Sequence, residues 1–204
     1  KVVKRNGGSG CLRDLDLAAR IIRAVDDATS LITTVKIRSG FDDASRDPVR
    51  IGLRCQDAGA RAVCIHPRTR ADMYSGQARW SEIQALVEAL EVPVIGNGDI
   101  LCGEDARRMR DQTACAGIMI ARGSHGDPWI FSQVRAALDG DPLPSPPSNV
   151  ERFEICLEHA RNAIEFERDR KRAIVDFRKH LGWYTKGLPD GRRLRTELFQ
   201  VTSL

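Results

Sequence analysis

The sequence has 204 residues, of which 42% are hydrophobic and 29% are charged, and its formal net charge is +4. A chain of this size and composition can bury a globular core and shows none of the bias of disordered or fibrous proteins. No apolar run approaches the roughly 18 residues of a membrane span, and the amino end lacks the apolar segment of a signal peptide. We therefore expect no membrane association and a cytoplasmic location.

The cysteines are scattered and form no C-x-x-C pair. There are six of them, at Cys11, Cys55, Cys64, Cys102, Cys115 and Cys156. The histidines stand at no metal-ligand spacing from these cysteines. We therefore expect neither a metal site nor a disulfide framework.

Strand and helix patterns alternate along the first two thirds of the chain. Runs rich in β-branched residues predict strands at 33–37, 62–65, 92–95 and 117–120. Amphipathic patterns predict helices at 49–58 with Asp47 as N-cap, at 81–90 with Ser81 as cap, and at 104–111. This alternation indicates a parallel sheet covered by helices, either an open doubly wound sheet or a β/α barrel.

The barrel is favoured because the polar residues suited to chemistry follow directly after the strands. A (β/α)8 barrel builds its active site from the loops at that end of its strands. A complete barrel needs about 250 residues, and only four strand units are visible. The sequence therefore predicts an α/β fold containing half of a TIM barrel.

A proline-rich stretch at 141–149 predicts a linker, because proline neither continues a helix nor fits the centre of a sheet. Helical patterns at 150–166 and 174–184 follow it. We expect residues 1–140 to form the half barrel and residues 150–204 a small C-terminal helical bundle.

The ends of the first two predicted strands carry basic residues. Lys36 and Arg38 share one face of the first strand and predict an anion site, although both could instead extend outward to solvent. His66 and Arg68 follow the second strand and suit a phosphate or a polyanionic substrate. A capping histidine beside a solvated arginine is the alternative interpretation.

Small residues follow the third and fourth strands. Asn97, Gly98 and Asp99 form a turn in which backbone N–H groups can approach a ligand closely, although Asn-Gly is also a common plain turn. Ala121 and Arg122 begin a second such loop. Loops after the last two strands of a barrel commonly bind phosphate through backbone donors, so the pair predicts a phosphate site.

The carboxyl-terminal segment is basic. From position 168 to the end there are ten Lys and Arg residues against four Asp and Glu residues, and aromatic residues lie among them. Such a surface can follow a nucleic acid backbone, although charge runs are more often solvated helix faces.

Read in order, these motifs closely resemble those of the bacterial tRNA-dihydrouridine synthases. The matching segments are Lys36-Ile-Arg38, Ile65-His-Pro-Arg-Thr69, Asn97-Gly-Asp99, Ala121-Arg122, Pro128-Trp-Ile-Phe131 and Arg178-Lys-His-x-x-Trp-Tyr184. The resemblance covers essentially the whole chain. It implies a flavoenzyme that reduces uridine in tRNA with FMN and NADPH, built as a (β/α)8 barrel followed by a helical domain.

The resemblance also implies a role for each candidate residue. The four strands would be barrel strands five to eight, so the chain would hold the second half of the barrel. The FMN-binding residues would be Lys36, His66, Asn97, Gly98, Asp99, Ala121 and Arg122. The residues that contact the tRNA substrate would be Arg38 and Arg68 in the barrel and Arg178 and Lys179 in the helical domain.

In enzymes of this kind, hydride passes from reduced FMN to C6 of the uracil while a cysteine acts as acid toward C5. That cysteine lies in an Asn-x-Gly-Cys-Pro motif, which the resemblance places just before Lys1, so we expect no catalytic residue in this chain and no activity from the chain alone. Ala121 and Pro67 stand where the family usually has glycine. The pattern does not show which tRNA uridine is modified.

Two other functions stay open at this point. One is a flavin oxidoreductase with a small-molecule substrate, against which the basic helical segment argues. The other is a noncatalytic RNA-binding protein, which would be consistent with the missing cysteine.

Overall fold

A computed structural model describes residues 2–203. The strands are β1 Thr34–Arg38, β2 Ala62–His66, β3 Val94–Asn97 and β4 Gly117–Met119. The α-helices are α1 Leu15–Asp27, α2 Pro48–Asp57, α3 Trp80–Ala89, α4 Gly103–Thr113, α5 Ile130–Asp139, α6 Asn149–Phe166, α7 Arg170–Tyr184 and α8 Gly191–Leu198. Short 3-10 helices lie at Val3–Arg5, Gly8–Arg13, Asp43–Ser45 and Arg122–Ser124. The chain divides into two compact units, one ending at Ala121 and the other beginning at Arg122.

The four strands of the first unit form one parallel sheet in the order β1-β2-β3-β4. Each strand therefore pairs with the next one in the sequence, with helices in the connections. A doubly wound sheet would reverse its strand order at a switch point, whereas a (β/α)8 barrel adds strands in sequence. The prediction of an α/β fold containing part of a barrel is confirmed.

The core of the first unit lies between the sheet and its helices. Alternate residues of β2 point to this side, and Val63 and Ile65 are completely buried there, as are Ile83 and Leu86 of α3 and Met109 of α4. Burying one such side chain stabilises the fold by about 1.5–3 kcal/mol. The opposite face of the same strands carries polar side chains, including Lys36 and Asn97.

The second unit is helical. Cys156 and Ala160 of α6 pack against Phe177 and Tyr184 of α7 in its buried cluster. Helix α6 begins at a capping box in which the side chains of Ser148 and Glu151 exchange hydrogen bonds with the backbone. The predicted helical bundle is thus present, with α8 added to the two helices that the sequence pattern indicates.

Two helix starts and one strand start test the local predictions. Asp47 caps α2 as expected, accepting a hydrogen bond from the backbone of Arg50. The Ser81 cap is wrong, because α3 begins one residue earlier, where the Arg79 N–H donates to the Pro67 carbonyl at 3.1 Å. The third strand starts later than predicted, since Pro93 has no N–H to give to a ladder.

Residues 141–148 lie outside helices and strands. The division into compact units falls earlier, between Ala121 and Arg122. The domain limits 1–140, 141–149 and 150–204 therefore stay a prediction. Among residues 2–203, no helix combines the length and the apolar character that crossing a membrane requires.

Candidate active site at the strand ends

Three strands of the first unit are linked by side-chain hydrogen bonds on the face opposite the core. The Lys36 ammonium on β1 donates to Oδ1 of Asn97 on β3 at 2.8 Å, and Nδ2 of Asn97 donates to the Met119 carbonyl on β4 at 2.7 Å. The two bonds fix the orientation of the Asn97 amide, because an ammonium can only donate and a carbonyl can only accept. The amide oxygen is thereby held toward Lys36.

The environment of Lys36 is partly apolar. Much of the side chain is exposed, but its ammonium end is withdrawn from solvent, and this burial lowers the pKa of Lys36 below its ordinary value. The Cys64 thiol on the neighbouring strand, 3.9 Å away, partly opposes this shift. An anionic or electron-rich neighbour would stabilise the charged form of a lysine in such a position.

His66 is held neutral at the end of β2. Its Nε2 lies 3.3 Å from Nη1 of Arg68, and a guanidinium has only donors, so Nε2 must accept and the ring proton must sit on Nδ1. Burial, followed by the positive charges of Arg38, Lys36 and Arg68, lowers the pKa of His66 to about 4. At neutral pH His66 therefore offers one N–H donor, at Nδ1.

Arg68 is only 2% exposed. It forms a bidentate pair with Asp99 at 2.9 and 2.8 Å, and it donates to the carbonyls of Ser75 and Gly76 at 3.1 and 2.5 Å. The Asp99 carboxylate also accepts from the backbone of Ala78 at 2.7 Å. With the histidine contact, all five guanidinium N–H groups have partners. The structure thus places Arg68 in a clamp that fixes the loop after β2, and its contact with tRNA stays a prediction.

The turn after β3 has no room for a side chain at its centre. Gly98 has a φ of +131°, and a Cβ there would lie 2.9 Å from the Ala78 Cβ and 3.1 Å from the His66 ring. Its carbonyl accepts a hydrogen bond from the Trp80 indole at 3.1 Å. The next residue, Asp99, also has a positive φ, of 57°. The sequence signal Asn-Gly-Asp therefore corresponds to a close-packed turn.

Arg38 lies at the end of β1 and is half-buried. One of its terminal nitrogens, Nη1, donates to the carbonyls of Thr69 and Met73 at 2.7 and 3.2 Å. Its guanidinium lies 6.0 Å from the centre of the Tyr74 ring. Within residues 2–203 its Nε and Nη2 have no hydrogen-bond partner, so they can reach a ligand.

Sequence reasoning missed a charged network beneath these loops. Arg46 pairs with Asp43 and Asp72 at 2.7 Å each and with Glu82 at 3.0 Å, and Glu82 also accepts from the Ser39 hydroxyl. Hydrogen bonds from the Thr69 backbone and from Arg46 lower the pKa of Asp72 to about 2. No local pattern signals the pairs of Arg46 with Asp72 and Glu82, because these partners lie 26 and 36 positions away in the sequence.

The remaining predicted residues lie at the end of the first unit and in the second unit. Ala121 ends the first unit, and Arg122 starts the second in the 3-10 helix Arg122–Ser124. In the second unit, Arg178 on α7 donates from Nε and Nη2 to the Val201 carbonyl at 3.1 and 2.8 Å, whereas Lys179 is exposed. Arg178 therefore anchors the carboxyl-terminal segment.

The part of the chain that the structure describes contains no group of three or more His, Cys, Asp or Glu side chains placed to hold a metal ion. The cysteines that it describes are all free thiols.

Comparison with known proteins shows similarity along nearly the whole chain. The protein probable tRNA-dihydrouridine synthase 1 of Synechocystis sp. is 37% identical over 204 residues, which cover 100% of this chain and 57% of that protein. The probable tRNA-dihydrouridine synthase of Mycobacterium leprae is 38% identical, with 100% and 54% covered. The tRNA-dihydrouridine synthase B of Pseudomonas putida is 38% identical, with 96% and 58% covered. The chain thus spans about half the length of the curated relatives it matches.

Among solved structures, a mandelate oxidase variant matches 89% of this chain and 58% of its own at 19% identity, with a TM-score of 0.37, a similarity too low to support an argument. The family model described as dihydrouridine synthase (Dus) matches residues 1–204. With relatives of that name at this level of identity, the chain belongs to the dihydrouridine synthase (Dus) family.

Proposed function

We propose that the full-length protein reduces uridine to 5,6-dihydrouridine in tRNA, with FMN as cofactor and NADPH as reductant. Membership of the family supports the reaction class and tRNA as the substrate. The observation that carries the proposal is the hydrogen-bond chain from Lys36 through Asn97 to Met119, which holds an ammonium group at the carboxyl ends of three parallel strands. Ligands of β/α barrels bind at this end of the strands.

The residues at the strand ends fit FMN. Lys36 provides a cation and His66 a neutral N–H donor at Nδ1, which suits the polar atoms of a flavin ring. Asp99 does not repel a phosphate, because its carboxylate is neutralised by the bidentate pair with Arg68. When bound, FMN supplies the hydride that reduces the uracil double bond.

The turn after β3 and the loop after β4 are the proposed phosphate site. Asn97, Gly98 and Asp99 belong to the first, and Ala121 and Arg122 to the second. The missing side chain at Gly98 lets the turn pack directly on Ala78, which fixes the backbone that would face the phosphate. Backbone donors in fixed turns are a common way to hold phosphate.

Contacts with the tRNA are proposed for Arg38 and Arg68 in the first unit and for Arg178 and Lys179 in the second. Arg38 is the best placed, because two of its nitrogens have no partner among the described residues. The proton that reaches C5 of the uracil is not assigned to Cys11. That thiol donates to the Asn6 carbonyl at 3.0 Å and lies in the 3-10 helix Gly8–Arg13.

The test is an absorbance scan of the purified full-length gene product. We expect a flavin band near about 450 nm that bleaches when NADPH is added. Lys36→Ala and Asn97→Ala should both reduce the FMN content, because each breaks the same hydrogen-bond chain. Lys171→Ala, which removes an exposed lysine of α7, is the control and should leave the band unchanged.

A colourless protein that takes up no added FMN would contradict the flavoenzyme proposal and favour a noncatalytic RNA-binding protein. A flavoprotein that NADPH reduces but that neither binds nor modifies tRNA would favour an oxidoreductase with a small-molecule substrate.

A further inference from the structure

Two arginines of the first unit lie against one aromatic ring. The Arg13 guanidinium lies 3.8 Å from the centre of the Phe41 ring, and that of Arg70 lies 5.6 Å from the same centre. Arg13 ends the 3-10 helix Gly8–Arg13, Phe41 follows β1 and Arg70 follows β2. The cation–π contacts orient both guanidinium groups without using their N–H donors.

The backbone beneath this cluster is fixed. The N–H of Arg70 donates to the Gly40 carbonyl at 2.9 Å, and the N–H of Ala71 donates to the Phe41 carbonyl at 2.9 Å. These two bonds join the loop after β1 to the loop after β2. The Phe41 ring and the Arg70 side chain therefore start from backbone positions that are fixed relative to each other.

The donors of these two arginines are unused. Neither Arg13 nor Arg70 makes a side-chain hydrogen bond or an ion pair within residues 2–203, in contrast to Arg46 and Arg68 of the same unit. Among the acidic side chains nearby, Asp43 and Asp72 pair with Arg46. Asp42 accepts hydrogen bonds from Ser45, which lower its pKa, and the charge of Arg13 adds to this shift, but Asp42 forms no ion pair with Arg13. The cluster consequently keeps two positive charges available for an external anion.

We propose that Arg13, Phe41 and Arg70 form a contact surface for the phosphates of the RNA backbone beside the substrate nucleotide. The inference rests on the proposed function and extends it to residues outside the proposed cofactor and substrate contacts. Arg38 ends β1 three residues before Phe41, so this surface lies at the same end of the sheet as the candidate site. Guanidinium groups that an aromatic ring orients and whose N–H edges are free suit phosphate oxygens better than mobile lysines do.

The first experiment measures tRNA affinity of the full-length gene product at several salt concentrations. The double variant Arg13→Gln/Arg70→Gln should weaken binding by about tenfold at low salt. It should also reduce the slope of log K against log salt concentration by about 1 for each phosphate that is no longer bound. The matched control is Arg61→Gln, which removes an exposed arginine at the opposite end of β2 and should change neither quantity.

A second variant separates charge from orientation. Phe41→Leu keeps both arginines and an apolar side chain but removes the ring. It should weaken binding by a few-fold while the salt slope stays at the wild-type value, because the number of charges is unchanged. Far-UV circular dichroism and FMN content report whether each variant is folded.

The outcomes distinguish this inference from the proposed function. In one outcome, the wild-type protein binds FMN and reduces tRNA while the double variant binds tRNA as tightly as Arg61→Gln does. That result would overturn the phosphate surface and leave the proposed function intact. Variants that keep tRNA binding but lose binding to polyglutamate would assign the cluster to an acidic protein partner, and this also overturns the inference. Absence of FMN would count against the proposed function and leave the affinity comparison valid.

Discussion

In the first unit, one charged pair next to the strand ends is fixed inside the fold: Arg68, with a side chain only 3% exposed, pairs with Asp99. In the second unit, rings fill the interior: His159 lies edge-on to Phe177 at 4.9 Å, and His180 lies against the same phenylalanine at 5.1 Å. Several basic residues of the second unit are exposed, among them Lys171, Arg172 and Lys179. The first unit thus fixes charges in place next to a candidate site, whereas the second separates an apolar interior from its charged surface.

The largest loss of stability should follow when one partner of the buried pair in the first unit is removed. Asp99→Ala leaves the Arg68 guanidinium buried without its counter-charge, and we expect a loss of about 3–5 kcal/mol in the free energy of unfolding. Urea denaturation measures it. The control is Asp43→Ala, whose 73% exposed carboxylate leaves Arg46 two other acidic partners, so it should cost less than about 1 kcal/mol. Equal losses would contradict the clamp.

A smaller loss is expected at a turn glycine. Gly98→Ala combines a φ of +131° with a distance of 2.9 Å from the new Cβ to Ala78, and we expect it to cost about 2–3 kcal/mol. Gly140 in the second unit has a φ of +78° and open space for 4 Å around the position that a Cβ would take. Gly140→Ala therefore tests the backbone conformation alone and should cost about 1 kcal/mol. If the two variants are equally stable, steric contact at Gly98 is not important.

Replacing His180 in the second unit should change how the stability of the protein depends on pH. Burial, with the nearby charges of His159, Lys179 and His125, lowers the pKa of His180 to about 4, compared with 6.5 for a free histidine. Because the unfolded chain then binds more protons between these values, stability is lost as pH falls from about 6.5 toward 4.

His180→Gln should reduce that dependence, seen as a smaller difference between urea midpoints at about pH 7 and about pH 5. His66 in the first unit has a pKa of about 4 as well, so His66→Gln is the companion variant. An undiminished pH dependence in both variants would contradict the proposed titration.

The smallest effects distinguish adjacent residues of α7. Arg178→Ala removes the hydrogen bonds to the Val201 carbonyl and should lower the free energy of unfolding by about 1–2 kcal/mol. Lys179→Ala should change stability by less than about 0.5 kcal/mol and should instead weaken tRNA binding in a salt-dependent way. The same two measurements on both variants check this, and a tRNA affinity that Lys179→Ala leaves unchanged would contradict the RNA contact proposed for Lys179.

Local sequence patterns determined the order and type of the strands and most of the helices. Apolar β-branched runs form strands wherever they can be buried, and Asp47 followed by proline starts a helix regardless of its distant neighbours. The position of Lys36, His66 and Asn97 at one end of the sheet also followed from the sequence, since parallel strands align their carboxyl ends.

Only the tertiary structure decided which polar side chains form hydrogen bonds and ion pairs inside the fold. Arg68 meets Asp99 across 31 positions and Arg46 meets Glu82 across 36, and Arg178 reaches a carbonyl 23 positions away. In the sequence these arginines look the same as Arg13 and Arg70, whose side-chain donors have no hydrogen-bond partner within residues 2–203. The difference arises because a guanidinium is buried only where several acceptors converge on it, and loops from separate strands bring those acceptors together.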